Sequence, residues 1–212
     1  MRIEADLPGT VHMTTTLYDY PRSGHAHRVR LFLHLLGVDH ETVEIDMAKG
    51  EHKTDDYLQL SPLGQVPTLV DDDVVITDST AAIVYLAKKY ARKDWLPEDP
   101  AGAASIQRWL SAASGELYRG PVQARAGRLF GRDVDYARAV AESERLFNWM
   151  QGELETRTWL AADHPTIADI AMYSYIAVAN EGDLDLSGWP AITRWMADVE
   201  ELDDFLPVVR SQ

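Results

Sequence analysis

From Thr14 onward the apolar and polar positions of the chain fall into a strand, a helix and a second strand. Thr15-Thr16-Leu17-Tyr18-Asp19-Tyr20 is a β-branched and aromatic run stopped by Pro21, the composition of a short strand. Val29, Phe32, Leu33 and Leu36 recur at i, i+3, i+4 and i+7, which puts them on one helical face, and Gly37 follows where a C-terminal cap belongs. Val43, Ile45 and Met47 alternate as a second strand. This order and spacing predict a right-handed βαβ unit with parallel strands. A short helix is expected within 53–60. Segments 66–70 and 74–77, separated by Asp71-Asp72-Asp73, read as a hairpin, and 81–90 as a closing helix carrying Ile83, Val84, Leu86 and Ala87. The order βαβ then ββα predicts a small mixed sheet covered by helices.

After residue 91 the pattern changes. Segment 92–100 is polar and holds two prolines, the composition of a linker. Beyond it only helical spacing is found, over 104–118, 133–157, 166–180 and 190–200. Leu146, Met150 and Leu154 are one such set, and Ile192, Trp195, Met196 and Val199 another. The expected fold class is therefore α+β, a mixed α/β domain over 14–91, followed after the 92–100 linker by an all-helical domain over 101–212. Residues 1–12 show no periodicity. Segment 1–13 reads as an N-terminal extension, with Met13 as an alternative start.

Composition narrows the function classes. Of the 212 residues 46% are hydrophobic and 25% charged, which suits a chain that buries a core. No apolar run approaches the ~20 residues that span a bilayer, so no membrane partner is expected. The opening Met1-Arg2-Ile3-Glu4-Ala5-Asp6 has acids where a signal peptide has a basic start, which predicts a cytoplasmic protein. The net charge of −14, from 34 acidic and 20 basic residues, repels phosphate backbones and disfavours nucleic acid. It also makes any local positive cluster informative. The chain has no cysteine, which excludes disulfides, thiolate metal sites and a protein thiol nucleophile. Seven histidines raise the question of a metal. His25 and His27, two residues apart, point to different sides of a helix with no third ligand spaced to join them, so no metal site is expected. No glycine-rich phosphate loop or hydrolase nucleophile elbow is present.

Five motifs remain, each with an ordinary structural explanation beside a chemical one. Gly64-Gln65-Val66-Pro67-Thr68-Leu69 places a proline, which lacks an N–H, just before a central strand. Asp78-Ser79 opens a helix: either residue can cap it, and the remaining N–H groups suit a carboxylate. In Gly50-Glu51-His52-Lys53, the His-Lys pair is either a solvated surface pair or a grip on an anion. Ser23, in Pro21-Arg22-Ser23-Gly24-His25-Ala26-His27-Arg28-Val29, is either a helix N-cap or a hydrogen-bond donor at the helix start. His164-Pro165-Thr166-Ile167-Ala168-Asp169 reads as a capping-box variant, with Thr166 and Asp169 structural.

A βαβ–ββα module followed by an all-helical domain, carrying these motifs in this order, resembles the cytosolic glutathione transferases over nearly the whole chain from Thr14. The resemblance implies a thioredoxin-like first domain that binds glutathione as co-substrate, with no metal. It implies a cis bond before Pro67, the Gln65-Val66 segment pairing with the cysteinyl part of glutathione through the backbone of the residue preceding that proline. Asp78 and Ser79 would hold the γ-glutamyl carboxylate. His52 and Lys53, matching a pair in phi-class-like members, would hold the glycyl carboxylate. Ser23 stands at the serine-to-Arg-Val spacing of tau- and phi-class members, which implies a hydroxyl donated to the glutathione thiolate; Tyr18, Tyr20 and His25 are the alternative donors. Lowering a thiol pKa from about 8.5 by ~2 units takes roughly 2.7 kcal/mol, within reach of one hydroxyl and a helix dipole. With no cysteine in the chain, the reactive sulfur comes from the ligand.

The implied activity is transfer of that thiolate to a small hydrophobic electrophile, as in detoxification, by a homodimer that joins one chain's first domain to the other's helical domain. The electrophile would sit between the domains, in the region of Trp109, Tyr118, Arg119 and Arg125. Glutathione-dependent reduction of disulfides or peroxides is the enzymatic alternative. A non-catalytic binding or assembly protein is the other.

Overall fold

The computed structural model describes residues 15–90 and 92–211; the N-terminal extension and the alternative start at Met13 lie outside them. Strand β1 (Thr15–Asp19), helix α1 (Gly24–Leu35), strand β2 (His40–Glu44), helix α2 (Asp55–Leu60), strands β3 (Thr68–Asp71) and β4 (Val74–Ile76) and helix α3 (Ser79–Lys89) follow in order. The sheet runs β2-β1-β3-β4. β1 and β2 are parallel, with Thr15 opposite His40, while β3 is antiparallel to both β1 and β4. This is the mixed sheet expected from βαβ–ββα. Leu17 and Leu69 from the sheet, Val29 and Phe32 from α1, and Ile83 and Leu86 from α3 are all fully buried and form its core.

β2 differs from the expected strand. It ends at Glu44, with residues 41–44 exposed and Val43 39% accessible. As the edge strand it buries little, and the alternation over 43–47 reports one inward residue past its end. That residue is Ile45, whose N–H donates to Asp19 O at 2.7 Å.

The second half holds α4 (Pro100–Ser114), a π-helical turn (Tyr118–Val122), α5 (Gln123–Phe130), α6 (Tyr136–Leu154), α7 (Ile167–Ile176), a 3-10 turn (Ala179–Gly182) and α8 (Pro190–Glu200). α4 starts and ends earlier than its apolar spacing suggests. Asp99 caps it by accepting from Ala101 N (3.1 Å) and Gly102 N (2.9 Å), and Pro100 takes the first turn, where no N–H is needed. α5 has no counterpart among the expected helices, because its inward face is Ala124, Arg125 and Ala126 instead of large apolar residues. The segment before α4 is more than a spacer: Trp95 is buried edge-on against Phe32, and its carbonyl accepts from Ile167 N at 3.1 Å.

α7 is buried on every side, so it runs through the middle of the helical half. Thr166 and Asp169 form its capping box, and Asp169 also accepts from Leu160 N (3.0 Å) and Trp195 Nε1 (2.9 Å). This is the structural role expected of them. α1 docks on α7. His27 Nδ1 meets Ser174 Oγ at 2.9 Å, Arg28 reaches Ala171 O through Nε (3.0 Å) and Nη2 (2.5 Å), and the Tyr175 ring presses on Gly24. A Cβ at Gly24 would lie 2.7 Å from that ring, so only glycine fits.

Candidate glutathione site

Strand directions bring the candidate residues together. Tyr18 pairs with Thr68, so the end of β1 and the start of β3 share one end of the sheet. Ile76 pairs with Leu69, which returns β4 to that end, and β2, parallel to β1, also finishes there. The connections carrying Ser23, His52-Lys53, Gln65-Val66 and Asp78-Ser79 therefore all emerge from the same edge.

Ser23 caps α1 with extended backbone (φ −78°, ψ 119°), its Oγ accepting from Ala26 N at 3.2 Å. The hydroxyl is used as an acceptor, so its proton stays available to a second partner. Cap and donor are thus compatible. Of the alternative donors, Tyr20 Oη accepts from Arg22 Nε (2.9 Å) and Nη2 (2.6 Å), while Tyr18 packs edge-on against Tyr57. His25 lies edge-on to Tyr175, its pKa lowered to about 3 by burial and by Arg28, which leaves it neutral.

The Val66–Pro67 bond is cis. Gln65 uses its backbone internally: its N–H donates to Ser61 Oγ (3.2 Å), and its carbonyl accepts from Tyr57 Oη (2.8 Å) and Ser61 Oγ (3.0 Å). Among the described residues the N–H and C=O of Val66 have no hydrogen-bond partner. Val66 therefore offers an extended peptide edge of the kind an incoming strand pairs with.

Asp78 caps α3, accepting from Thr80 N (2.9 Å), Ala81 N (2.8 Å) and Thr80 Oγ1 (2.5 Å). Burial pushes its carboxyl up, but the Thr80 hydroxyl, the two N–H groups and Arg28 together hold it below the usual range. With those N–H groups taken, the Ser79 N–H remains without a partner among the described residues. Ser79 is buried, and its Oγ accepts from Arg28 Nη1 at 2.7 Å. Arg28 itself is 1% exposed; burial lowers its pKa to about 10, and it stays charged at neutral pH. In the sequence it marked only a spacing. Here it is a buried cation behind the Ser79 end of the site.

His52 and Lys53 occupy a 3-10 turn (Glu51–Lys53) beside the loop that leads to Pro67. Lys53 Nζ donates to the carbonyls of Leu63 (3.0 Å) and Gly64 (3.2 Å). His52 Nδ1 is buried without a partner among the described residues, and burial followed by the Lys53 and Arg132 charges lowers the ring's pKa. Gly64, at φ +58°, lets the two segments touch: a Cβ there would fall against the His52 carbonyl and 2.8 Å from Lys53 Nζ.

In the helical half, Trp109 is fully buried, stacked on Trp149 at 4.4 Å and donating to Leu160 O at 2.7 Å, so it belongs to the core and not to a pocket. Tyr118 is exposed, and Arg119 pairs with Glu116 at 2.8 Å. Arg125 is the one of the four tied to the site, donating to Arg22 O at 2.8 Å and to Glu181 at 2.6 Å. Among the described residues no three potential metal ligands converge, and no helix is long and apolar enough to cross a membrane.

Comparison with known proteins bears on the chain as a whole. Residues 22–89 match the model for the glutathione S-transferase N-terminal domain and residues 124–203 the model for the C-terminal domain. Glutathione S-transferase 1 of Dianthus caryophyllus is 49% identical over 83 residues, which is 39% of this chain and 38% of that one. Glutathione S-transferase 3 of Zea mays is 36% identical over 162 residues, 72% of each chain. A structure from Rhodopseudomonas palustris, described as a possible glutathione S-transferase, superposes with a TM-score of 0.83 at 31% identity, covering 93% of this chain and 91% of that one. With both halves matched and the two-part fold shared along nearly its full length, this chain belongs to the glutathione transferase family.

Proposed function

We propose that the protein transfers the glutathione thiolate to small hydrophobic electrophiles. One observation carries the reading. At a single sheet end, three groups stand unused by the fold: the Ser23 hydroxyl proton, the Val66 peptide edge, and the Ser79 N–H backed by the buried Arg28 charge. They correspond to the thiol, the cysteinyl backbone and the γ-glutamyl carboxylate of one tripeptide. His52, Lys53 and Gln65 border the remaining, glycyl end.

In this reading the bound thiol loses its proton to solvent, and Ser23 donates to the thiolate while the start of α1 contributes its partial positive charge. Sulfur attacks the electrophilic carbon. A C–S bond forms as a leaving group departs with its electron pair or, in addition, as the adjacent carbon gains a proton. Ser23 is thus an electrostatic stabiliser and neither nucleophile nor base. A scaffolding role finds no comparable support in the site.

A homodimer and a cytoplasmic setting belong to the same proposal. A concavity of about 530 Å³ between β4, α3 and α4, lined by Val74, Ile76, Val84 and Leu110, supports the dimer by offering an apolar seat to a second copy. The test is glutathione at millimolar concentration. Stabilisation of about 2.7 kcal/mol is expected at 100-fold over Kd, with conjugation of an aryl halide. No thermal stabilisation and no retention on immobilised glutathione would sink the reading.

A further inference from the structure

In a chain with 34 acids against 20 bases, a guanidinium is easily neutralised. Nine of the described arginines lie within 4.0 Å of a carboxylate. Among the described residues Arg22, Arg28 and Arg132 do not, nor do Arg138 on α6 and Arg210 in the tail. Arg28 stands behind Ser79. Arg22 lies beside Ser23, together with Arg125.

Arg22 immediately precedes Ser23, and its guanidinium lies 5.4 Å from the Phe130 ring centre and 5.6 Å from that of Tyr20. Arg125 lies 5.4 Å from the same Phe130 ring and donates from Nη1 to the Arg22 carbonyl at 2.8 Å. It is 2% exposed, and its Nη2 is buried with no acceptor among the described residues. The carboxylate on Arg125, Glu181, accepts through both oxygens: one takes Arg125 Nε (2.6 Å) and the other Ser211 N–H (2.6 Å). Two guanidinium groups thus stand next to Ser23, and the one carboxylate paired with them already accepts through both oxygens.

We propose that the electrophile accepted beside Ser23 carries an anionic group, a carboxylate in the simplest case, held by Arg22 and Arg125. The proposal rests on the transferase reading and narrows its substrate class. A carboxylate matches the planar fork of arginine, and a buried N–H without an acceptor is the kind of donor such a ligand satisfies. Both carboxylates of glutathione are provided for elsewhere, at Ser79 and at His52-Lys53.

The test uses two aryl halides of one shape, 4-chloro-3,5-dinitrobenzoate and its methyl ester. In each, a C–S bond forms at the chlorine-bearing carbon, chloride leaves with the bonding pair, and the thiol proton goes to solvent. With kcat/KM divided by the uncatalysed rate for each compound, the carboxylate is expected to be preferred by about tenfold at low salt, the size of one charge-assisted hydrogen bond. The preference shrinks as salt screens the charges. Arg22→Gln, at an exposed position where folding is not at stake, cuts the ratio by about fivefold. Equal use of acid and ester by the wild type overturns the proposal, and so does an Arg22→Gln protein that is slowed on both compounds alike. Turnover of neither compound, without glutathione binding, removes the transferase reading itself.

Discussion

Ser23 has two roles that different substitutions separate. As a cap it accepts one N–H at 3.2 Å, a long bond that sits in the lower part of the capping range, so Ser23→Ala costs about 0.5–1 kcal/mol. At roughly 2 cal/mol/K per residue, that lowers Tm by only about 1–2 °C in a domain pair of this size. Glycine caps almost as well as serine, so Ser23→Gly costs only a few tenths of a kcal/mol by this route. As a donor to an anionic sulfur, the hydroxyl contributes about 1.5–3 kcal/mol, which is about 1–2 pKa units on the bound thiol. Raising a thiol from about pKa 6.5 to about 8 cuts the thiolate fraction at pH 6.5 about 15-fold, and the deficit closes above about pH 9. The assay is the pH profile of kcat/KM, together with ultraviolet titration of the bound thiolate, for both variants. The donor role predicts that alanine and glycine shift the profile alike despite their different Tm values. An unshifted thiol pKa in both, or activity that tracks Tm, refutes it.

Gly64→Ala forces a Cβ into the His52 carbonyl at a positive φ, so a loss of about 2 kcal/mol and a raised KM for glutathione are expected, read by urea unfolding and kinetics. His27 is fully buried between Ser174 and Leu206 O, and burial lowers its pKa to about 4. The unfolded chain binds that proton more readily, so stability is complete above pH 6.5 and falls as pH drops from about 6.5 towards 4. The loss attributable to this residue is about 2 kcal/mol at pH 5. Urea midpoints at pH 7 and pH 5 check it, and the difference should shrink in His27→Gln; an equal difference in the two proteins contradicts the assignment.

The local grammar of the first half was legible because its signals are short-range. A proline before a strand, an Asp-Ser at a helix start and a serine four residues after a strand each declare themselves within a few positions. β2 was displaced because an edge strand buries so little that Ile45 dominated its pattern. α5 was hidden because alanine and arginine make its inward face. Arg28 and Arg125 were seen as letters but not as parts. Their partners are Ala171 and Ser79 for the one, Arg22 and Glu181 for the other, and nothing in a linear pattern joins residues so far apart. Lys53 read as either a solvated cation or a grip on an anion, and its ammonium also donates to two carbonyls of the loop before Pro67, a tie that no linear pattern announces.

The helix that begins at Gly24 draws part of its seat from α7: the Ala171 carbonyl, the Ser174 hydroxyl and the Tyr175 ring each engage one of its residues. The first domain is therefore not a detachable cassette. A chimera that grafts it onto another helical half inherits the glutathione-facing loops but leaves Arg28 without the acceptor that orients it towards Ser79. Modular exchange within this fold must carry the 171–175 segment along with the domain it supports.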